Sequence, residues 1–382
     1  IKRVALANTY VFSVGSGNNY LQLNADDKTS WVANTSGSQL LLLSTQVFRD
    51  PTAWQHFTFV FDTLSAAVSS NTYMAVNGER VTALGTANYP AQNDTSNWNT
   101  AIEHVIGAYS SASTHSAFYL SEFIFLDGYA GTASDFGEEN SDGVWIPKDP
   151  TTIVTAEKST NGFWLDFADS SDLGNDVSYS GLGVGTDNSF TANNMTATNF
   201  TNDRPADSGS DTGNYAVMNI LEDVLNPTTY SNGNLTMSGR TDWGFSISTL
   251  AFPASGNFYC EFTVDSIGTV SHGLMFGIVK VGDPSLDTSG SERQFTSDAG
   301  GYGYKPVGSG GSEPEKINDN TGASYGISVS ATDVIGVHLN AGTLTFYVDN
   351  ATQGTAYSGI TGNYFFACGF KSSSGTYTIT AN

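Results

Sequence analysis

The sequence predicts an almost entirely β-structured protein with two domains, and three observations carry this prediction. A chain of 382 residues exceeds one ordinary core and suits two domains of about 150–200 residues each. Glycine occurs 41 times, aromatic residues make up 12% of the chain and charged residues only 13%, which is typical of many short strands joined by turns. No segment sustains an apolar helical period over the ~11 residues of an average helix, so we expect less than about 10% helix.

The first part of the chain contains short alternating runs that predict strands. Three of these candidates lie at Tyr10–Val14, Tyr20–Leu23 and Gln39–Ser44. In the run that follows, Phe57, Phe59 and Phe61 fall on one face by the two-residue period of a strand. Asn77 and Gly78 then join two further alternating runs, and this dipeptide tolerates the positive φ angles of a type I′ turn. A tight hairpin is therefore predicted there.

The stretch Phe118–Asp127 reads as one central strand, because apolar residues occupy both of its faces. A strand of this kind needs a cover on each side, and we expect one cover to be an opposing sheet. The other is a return segment that supplies the apolar residues Trp145, Phe163, Trp164, Leu165 and Phe167. Residues 129–160 show no sustained period, so we expect loop there apart from one helical turn at Thr132–Phe136.

A polar segment divides the chain. Residues 169–211 are rich in Asn, Asp, Ser, Thr and Gly and carry few residues suited to a core. We therefore place the first domain at residues 1–200, a linker at residues 201–213 and the second domain at residues 214–382.

The second domain again alternates, as in FYCEFTVDS and in LTFYV, which leads to a turn at Asp349 and Asn350. The one competing helical segment is Asn219–Leu225. Cys260 and Cys368 each share a strand face with Phe residues, which predicts two buried free thiols rather than a disulfide.

Two family resemblances cover nearly the whole chain. The motifs VFRDPTAWQHFTFVFD, YMAVNGERVTAL, FYLSEFIFLDGYAGTASDFGE, GVWIPK and TNGFWLDF, within residues 1–185, resemble virion-associated proteins of tailed bacteriophages, many from marine hosts. Those proteins carry a laminin G-like, concanavalin A-like jelly roll. The motifs PASGNFYCEF, HGLMFGIVK, GGYGYKP, ATDVIGVHLNAGTLTFYVDN and GNYFFACGF, within residues 214–382, resemble the core strands of SPRY domains.

The resemblances imply two tandem concanavalin A-like jelly-roll β-sandwiches, laminin G-like and then SPRY-like. The phage family has a further strand before the point that matches Ile1. A jelly roll closes by pairing strands near its two ends, so we expect the first domain to lack one or more N-terminal strands.

The net charge of the chain disfavours some classes of binding partner. A formal net charge of -23 creates a field that repels nucleic-acid phosphates and anionic membrane surfaces, so we expect no nucleic-acid partner. No apolar run reaches the about 18 residues of a membrane span, so we expect no membrane insertion.

Catalytic and metal-binding patterns are missing from the sequence. The five histidines lack zinc-site spacing, and no Glu-x-Asp-x-x-Glu strand motif of jelly-roll glucanases occurs. Glu122 and Glu261 each stand alone on their strands apart from a distal Asp, which favours outward-facing structural residues. Laminin G-like folds sometimes bind calcium, yet no EF-hand loop is present. We assign no catalytic residue, no metal ligand and no cofactor, with calcium the one ion left open.

A ligand site is expected at rim aromatics with polar neighbours, because sugar rings stack on flat apolar faces. In the second domain this points to Trp243, Tyr302, Tyr304 and Tyr325. The alternative interpretation is that these four rings pack in the core or its rim.

The resemblance implies a non-catalytic virion surface protein: a tail fibre, a receptor-binding protein or a capsid decoration protein. Its expected partners are other virion proteins and host-surface polysaccharide, and it is expected as a homo-oligomer or in many copies on a particle. Two alternatives stay open. One is a secreted or cell-surface bacterial adhesin or carbohydrate-binding module, and the other is a tail-associated glycan depolymerase.

Overall fold

A computed structural model gives the fold. It describes residues 1–110, 114–141, 143–205, 213–221, 228–240, 242–267, 273–286, 294–307, 314–371 and 377–382. Strands hold 41% of the described residues and helices 8%, which confirms the prediction of an all-β protein with little helix. The chain forms two compact units, Ile1–Tyr215 and Ala216–Asn382. No helix in the described parts has the length and apolar character that a membrane crossing needs.

The first unit is built from short strands. They are β1 (Lys2–Arg3), β2 (Thr9–Val14), β3 (Tyr20–Leu23), β4 (Thr29–Ala33), β5 (Leu40–Ser44), β6 (Phe57–Val60), β7 (Tyr73–Val76), β8 (Glu79–Arg80), β9 (Leu84–Asn88), β10 (His104–Ile106), β11 (Ala108–Tyr109), β12 (Thr114–His115), β13 (Phe118–Tyr119), β14 (Phe123–Phe125), β15 (Gly137–Glu139), β16 (Trp145–Pro147) and β17 (Phe163–Leu165). The helices are α1 (Val68–Asn71), α2 (Thr151–Glu157) and α3 (Val177–Ser180), and 3₁₀ turns lie at Asn97–Asn99, Ala133–Asp135 and Ala197–Asn199.

One large sheet and several small ones enclose the core of this unit. The large sheet has the order β10-β2-β3-β4-β5-β9, and the smaller sheets include β6-β7-β8 and β14-β17. A single buried cluster joins Phe12 and Trp31 of the large sheet to Met74 and Phe163 of the smaller ones. The three early strand predictions are confirmed at β2, β3 and β5.

The predicted hairpin is also confirmed. It joins β7 to β8 through Asn77 and Gly78, whose φ angles are 48° and 82°. Both central residues of a type I′ turn require positive φ, so the local sequence alone was sufficient to specify it.

The prediction of one strand over Phe118–Asp127 is wrong. The stretch forms two strands, β13 and β14, that belong to different sheets, since β13 pairs with β1 and β14 pairs with β17. The break lies at Glu122, whose φ of 54° is left-handed and cannot continue a strand. The expected return segment does contact β14, because its residues Phe163–Leu165 form the partner strand β17.

The prediction of loop over residues 129–160 is correct only in part. The helical turn is confirmed at Ala133–Asp135, where the carboxylate of Asp135 accepts the backbone N–H of Thr132 over 2.6 Å. However, β15 pairs with β16 as a hairpin, and residues 151–157 form α2. Three-residue strands and a seven-residue helix are too short to show a period in the sequence.

Part of the segment that was predicted as a linker contacts the first strand of the chain. Asp203 is buried, and its carboxylate lies 2.7 Å from the Nζ of Lys2 in β1. The same Nζ donates to the carbonyl of Tyr215 over 2.8 Å. Residues 206–212 of the predicted linker lie outside the described residues.

The second unit is a two-sheet sandwich. Its strands are β18 (Thr229–Ser231), β19 (Thr236–Ser238), β20 (Gly244–Ile247), β21 (Phe252–Pro253), β22 (Asn257–Ser266), β23 (Leu274–Lys280), β24 (Gly301–Val307), β25 (Glu315–Asn318), β26 (Thr321–Ser324), β27 (Val334–Asn340), β28 (Thr343–Val348), β29 (Ala351–Tyr357), β30 (Asn363–Phe370) and β31 (Thr378–Ala381). A 3₁₀ turn lies at Pro284–Leu286. One sheet has the order β18-β19-β31-β22-β27-β28-β29; the other has the order β20-β30-β23-β24-β25-β26, with β21 paired to β30.

The main core of this unit lies between the two sheets, where Phe262 and Phe346 of the first sheet meet Phe276 and Phe370 of the second. The turn between β28 and β29 has positive φ at Asp349 (48°) and Asn350 (63°), as predicted.

Both cysteines are free, as predicted, but only Cys368 is fully buried and Cys260 is half-buried. Cys368 belongs to the main core of the second unit, and Cys260 packs against it. The predicted helical candidate Asn219–Leu225 falls partly outside the described residues, because residues 222–227 are not among them.

Candidate functional site

The four aromatic residues predicted as a ligand site do not form one exposed surface. Tyr304 is fully buried in the main core of the second unit, and its hydroxyl donates to the carbonyl of Ile327. Trp243 is also buried, in a separate cluster with Phe245 and Phe295. A buried ring offers no face to a sugar, so for Trp243 and Tyr304 the core-packing interpretation applies.

The other two rings of the predicted site, Tyr302 and Tyr325, are half-buried at the edge of the main core of the second unit. Tyr302 packs edge-on against Tyr357 with ring centroids 5.0 Å apart. The hydroxyl of Tyr325 donates to the carbonyl of Gly354 over 2.6 Å. Both rings are already held by protein partners.

The first unit contains a large cavity, of about 1070 Å³, that the sequence did not predict. Strands β6 and β14 both line it along their whole length. In the sheets formed by the described residues, β6 pairs only with β7 and β14 only with β17. Each of the two strands therefore has one backbone edge without a strand partner, and the cavity lies against both strands.

Aromatic side chains form the wall of this cavity. Phe57 and Phe59 of β6 stack with ring centroids 6.2 Å apart and planes 8° apart. Deeper in the wall, Trp31 meets Phe59 edge-on at 5.5 Å, and Phe12 contacts Phe123 of β14 at 5.2 Å. The rings of β6 and β14 are only half-buried, so they leave apolar surface for a ligand to cover.

Glu122 brings a carboxyl group to the same cavity. The indole N–H of Trp164 donates to it. Burial raises the pKa of Glu122 to about 7; the hydrogen bond from Trp164 opposes this shift, and the charge of Asp166 adds to it. A large fraction of the carboxyl groups is therefore neutral at physiological pH, and the group is able to donate as well as accept a hydrogen bond.

A histidine and a tryptophan form another part of the wall. The indole N–H of Trp145 donates to Nδ1 of His56 over 2.9 Å, and the two rings stack at 6.0 Å. Burial is the main cause that lowers the pKa of His56 to about 4, so the ring is neutral and carries its proton on Nε2. Gly78 seats the indole, because a Cβ at this position would lie 2.4 Å from a Trp145 ring carbon.

The cavity suits a ligand with an apolar body and a few hydrogen-bonding groups. At neutral pH His56 is uncharged and Glu122 is partly so, while Asp62, Asp127 and Lys148 also line the cavity. The described residues contain no group of three His, Cys, Asp or Glu side chains that could hold a metal ion, so no ligand set for calcium is assigned.

One sequence signal for this site was available. Five of the six tryptophans lie in the first unit, and Glu122 interrupts an aromatic stretch, FYLSEFIF. We interpreted Glu122 as an outward-facing strand residue, whereas its left-handed φ turns it out of the strand pattern.

The sequence matches no protein-family model and no curated protein. Among solved structures, the SPRY domain of human HERC1 is 12% identical and covers 43% of this chain and 96% of its own, with a TM-score of 0.35. The PSpry domain of TRIM65 is 15% identical and covers 44% of this chain and 91% of its own, with a TM-score of 0.33. Stonustoxin is 17% identical over 44% of this chain and 27% of its own, with a TM-score of 0.33. The fold assignment rests on the sheets themselves, and the laminin G-like assignment and the virion origin stay predictions.

Proposed function

We propose that the chain is a non-catalytic binding protein of a virion surface, and that its first unit receives an extended, apolar segment of a neighbouring virion protein. The observation that carries this proposal is the pair of strands β6 and β14 on an aromatic cavity of about 1070 Å³, each with an edge that no strand of the described residues pairs with.

The chemistry of the cavity favours such a segment. An added strand gains main-chain hydrogen bonds from the edges of β6 and β14, and its alternate side chains enter the aromatic wall. About five residues of extended chain span about 17 Å, the usual length of a strand. The net charge of -23 favours a donor segment that carries Lys or Arg next to its apolar residues.

Tail fibre, receptor-binding and capsid decoration proteins are the subtypes of this proposal, with the chain in many copies on the particle surface. Host-surface polysaccharide is the second expected partner. Repeated copies raise the avidity of a weak site by roughly 10²–10⁴ without any new contact.

The test introduces a charged residue into the cavity by mutating the viral gene that encodes the chain. Ile124 of β14 is half-buried and lines the cavity, so Ile124→Arg should prevent strand addition and yield particles without this chain. Ile327→Arg is the control, because Ile327 is an exposed apolar residue of the second unit. Thermal unfolding of the purified variants identifies any loss of folding.

Three results would count against the proposal. Particles that carry the Ile124→Arg chain at the normal level would exclude the cavity as the attachment site. If another strand of the same polypeptide fills the cavity, the intermolecular form of the proposal fails. Particles that never contain the chain would favour the secreted adhesin.

A glycan depolymerase is the second candidate function, and Glu122 is the observation that favours it. A carboxyl group with a pKa of about 7 matches the general acid of glycoside hydrolysis. Release of reducing ends from host polysaccharide, lost in Glu122→Gln, would establish this function and overturn the non-catalytic one.

A further inference from the structure

The outer face of the seven-stranded sheet in the second unit is polar but almost uncharged. The strands β18, β19, β22, β27, β28, β29 and β31 contain no Lys or Arg, and their only acidic residues are Glu261 and Asp265. Hydroxyl groups line this face at Thr236, Thr263, Thr345 and Thr380. Asp265 accepts the Thr380 hydroxyl over 2.7 Å.

Three aromatic rings form a patch in the middle of this face. Tyr259 of β22 is directly opposite His338 of β27, and their ring centroids lie 6.0 Å apart. Tyr347 of β28 lies 6.2 Å from both rings. Tyr259 is 49% exposed, which makes it one of the most exposed aromatic side chains among the described residues.

The Tyr259 ring extends over the neighbouring strand β27. Its hydroxyl donates to a carboxylate oxygen of Glu261 over 2.7 Å, on the same strand face. It passes directly over Gly336, where an added Cβ would lie 2.5 Å from the hydroxyl oxygen and 2.9 Å from a ring carbon. On the neighbouring strand, Nε2 of His338 lies 2.7 Å from Oδ1 of Asn257. The missing side chain at Gly336 thus leaves room for the Tyr259 ring, which is 49% exposed.

We propose that this face binds a neutral polysaccharide, with one pyranose ring stacked on Tyr259 and the hydroxyls of that sugar bound by Glu261 and Asn257. The proposal rests on the proposed function only in taking host-surface polysaccharide as a partner. Its site is separate from the cavity of the first unit.

The chemistry of the face selects this class of ligand. A flat ring surrounded by hydrogen-bonding groups matches the alternating apolar and hydroxyl-bearing surfaces of a hexose. The strands of this sheet have no Lys or Arg, and Glu261 repels negative charge, so polymers of uronic acids or sulfated sugars are disfavoured. A sheet face also leaves both ends of a sugar chain free to continue.

Affinity electrophoresis of the full chain in native gels provides the test. The net charge of -23 drives migration, and a polysaccharide in the gel that binds the chain retards it. The neutral probes are laminarin, amylose and galactomannan, and alginate is the anionic probe. We expect retardation by at least one neutral polymer and none by alginate.

Substitutions at the central ring locate the site. Tyr259→Ala should weaken binding by about tenfold or more, because it removes the stacking surface. Tyr259→Phe keeps the ring and should stay within about threefold of the unsubstituted chain. Tyr179→Ala is the matched control, since Tyr179 lies in the first unit and is 47% exposed. All variants are checked by thermal unfolding.

The proposal is overturned if none of the neutral polymers retards the chain, if alginate retards it equally, or if Tyr259→Ala binds as the unsubstituted chain does. Loss of glycan binding in Ile124→Arg but not in Tyr259→Ala would move the glycan to the cavity of the first unit. If the Ile124→Arg chain binds glycan normally but is missing from particles, the result supports the attachment role of the cavity and the glycan site of the second unit independently.

Discussion

Trp164 donates its indole N–H to the carboxylate of Glu122. Trp164 lies in β17, the partner strand of β14, and Glu122 is the residue immediately before β14. Two features of Glu122 are energetically unfavourable: its left-handed φ of 54° and its buried carboxyl group. Non-glycine residues with such φ angles concentrate at functional sites, where the surrounding structure holds them. The geometry of Glu122 is therefore consistent with a role in the cavity.

The first prediction concerns pH. The pKa of Glu122 is raised from 4.5 to about 7, so between these pH values the folded chain holds a proton that the unfolded chain has lost. The free energy of unfolding should therefore fall by about 3 kcal/mol as pH rises from 4.5 to 7, and Glu122 should cause no further change above pH 7. Glu122→Gln should remove this dependence and be more stable than the unsubstituted chain at pH 8.

Denaturant unfolding at pH 5 and pH 8, followed by tryptophan fluorescence, measures this effect. The signal reports mainly on the first unit, which holds five of the six tryptophans. Glu79→Gln is the control, since Glu79 is exposed in β8. An equal pH dependence in Glu122→Gln and the unsubstituted chain would contradict the assignment.

The second prediction concerns the ion pair between Lys2 and Asp203, which is almost completely buried. Asp203 also accepts the indole N–H of Trp54 over 2.9 Å. Asp203→Ala leaves the Lys2 ammonium buried without its charge partner, so it should cost about 3–5 kcal/mol. Asp26→Ala breaks the exposed pair with Lys28, which solvent screens, and should cost far less.

Urea unfolding of the two aspartate variants tests this difference. Burial lowers the pKa of Lys2 while Asp203 opposes that shift, so the ammonium of Asp203→Ala should lose its proton at a lower pH than in the unsubstituted chain. Part of the lost stability should then return at alkaline pH. Equal costs for Asp203→Ala and Asp26→Ala would show that the buried pair does not hold the end of the first unit.

Local patterns predicted those elements whose cause is local. The strands β2, β3 and β5 follow from alternation, and the turn between β7 and β8 follows from Asn77 and Gly78. The break at Glu122 has no such signal, because a glutamate adopts positive φ only when surrounding contacts impose it. The cavity could not be predicted for a related reason. It depends on which strands pair, and a local sequence pattern does not show the pairing of distant segments.

The predicted site in the second unit shows what alternation leaves undecided. Tyr302 and Tyr304 share one face of β24, but the sequence does not say whether that face is inside, and the structure turns it to the core. In β22 the residues next to Tyr259 in the alternation show which face is inside. Because Phe262 and Val264 face inward, the alternation places Tyr259 and Glu261 on the outer face, where the structure has them.

The third prediction concerns the thiols. Burial raises the pKa of Cys260 to about 12, with a smaller contribution from the charge of Glu261, and burial likewise raises the pKa of Cys368. Thiolate is the reactive form, so neither cysteine should react with a disulfide reagent at pH 8 while the chain is folded. In denaturant, two thiols per chain should react within minutes. Rapid labelling of the folded chain, or fewer than two thiols after unfolding, would contradict it.

The last prediction uses Gly336 to separate the orientation of the Tyr259 ring from its presence. Gly336→Ala leaves the tyrosine in place, and a β-strand accepts alanine at this position because Gly336 does not have a left-handed φ. The new Cβ would lie 2.5 Å from the Tyr259 hydroxyl oxygen, so the ring must lift from the sheet and release Glu261. Since only the end of a flexible side chain has to move, the free energy of unfolding should change by less than about 1 kcal/mol. The pKa of Tyr259, raised by burial and by its hydrogen bond to Glu261, should fall toward the ordinary tyrosine value in a spectrophotometric titration. Retardation by the neutral polysaccharide should weaken by about threefold or more if stacking needs the ring in its place over Gly336. A lowered pKa of Tyr259 with unchanged retardation would show that the sugar does not use this ring face.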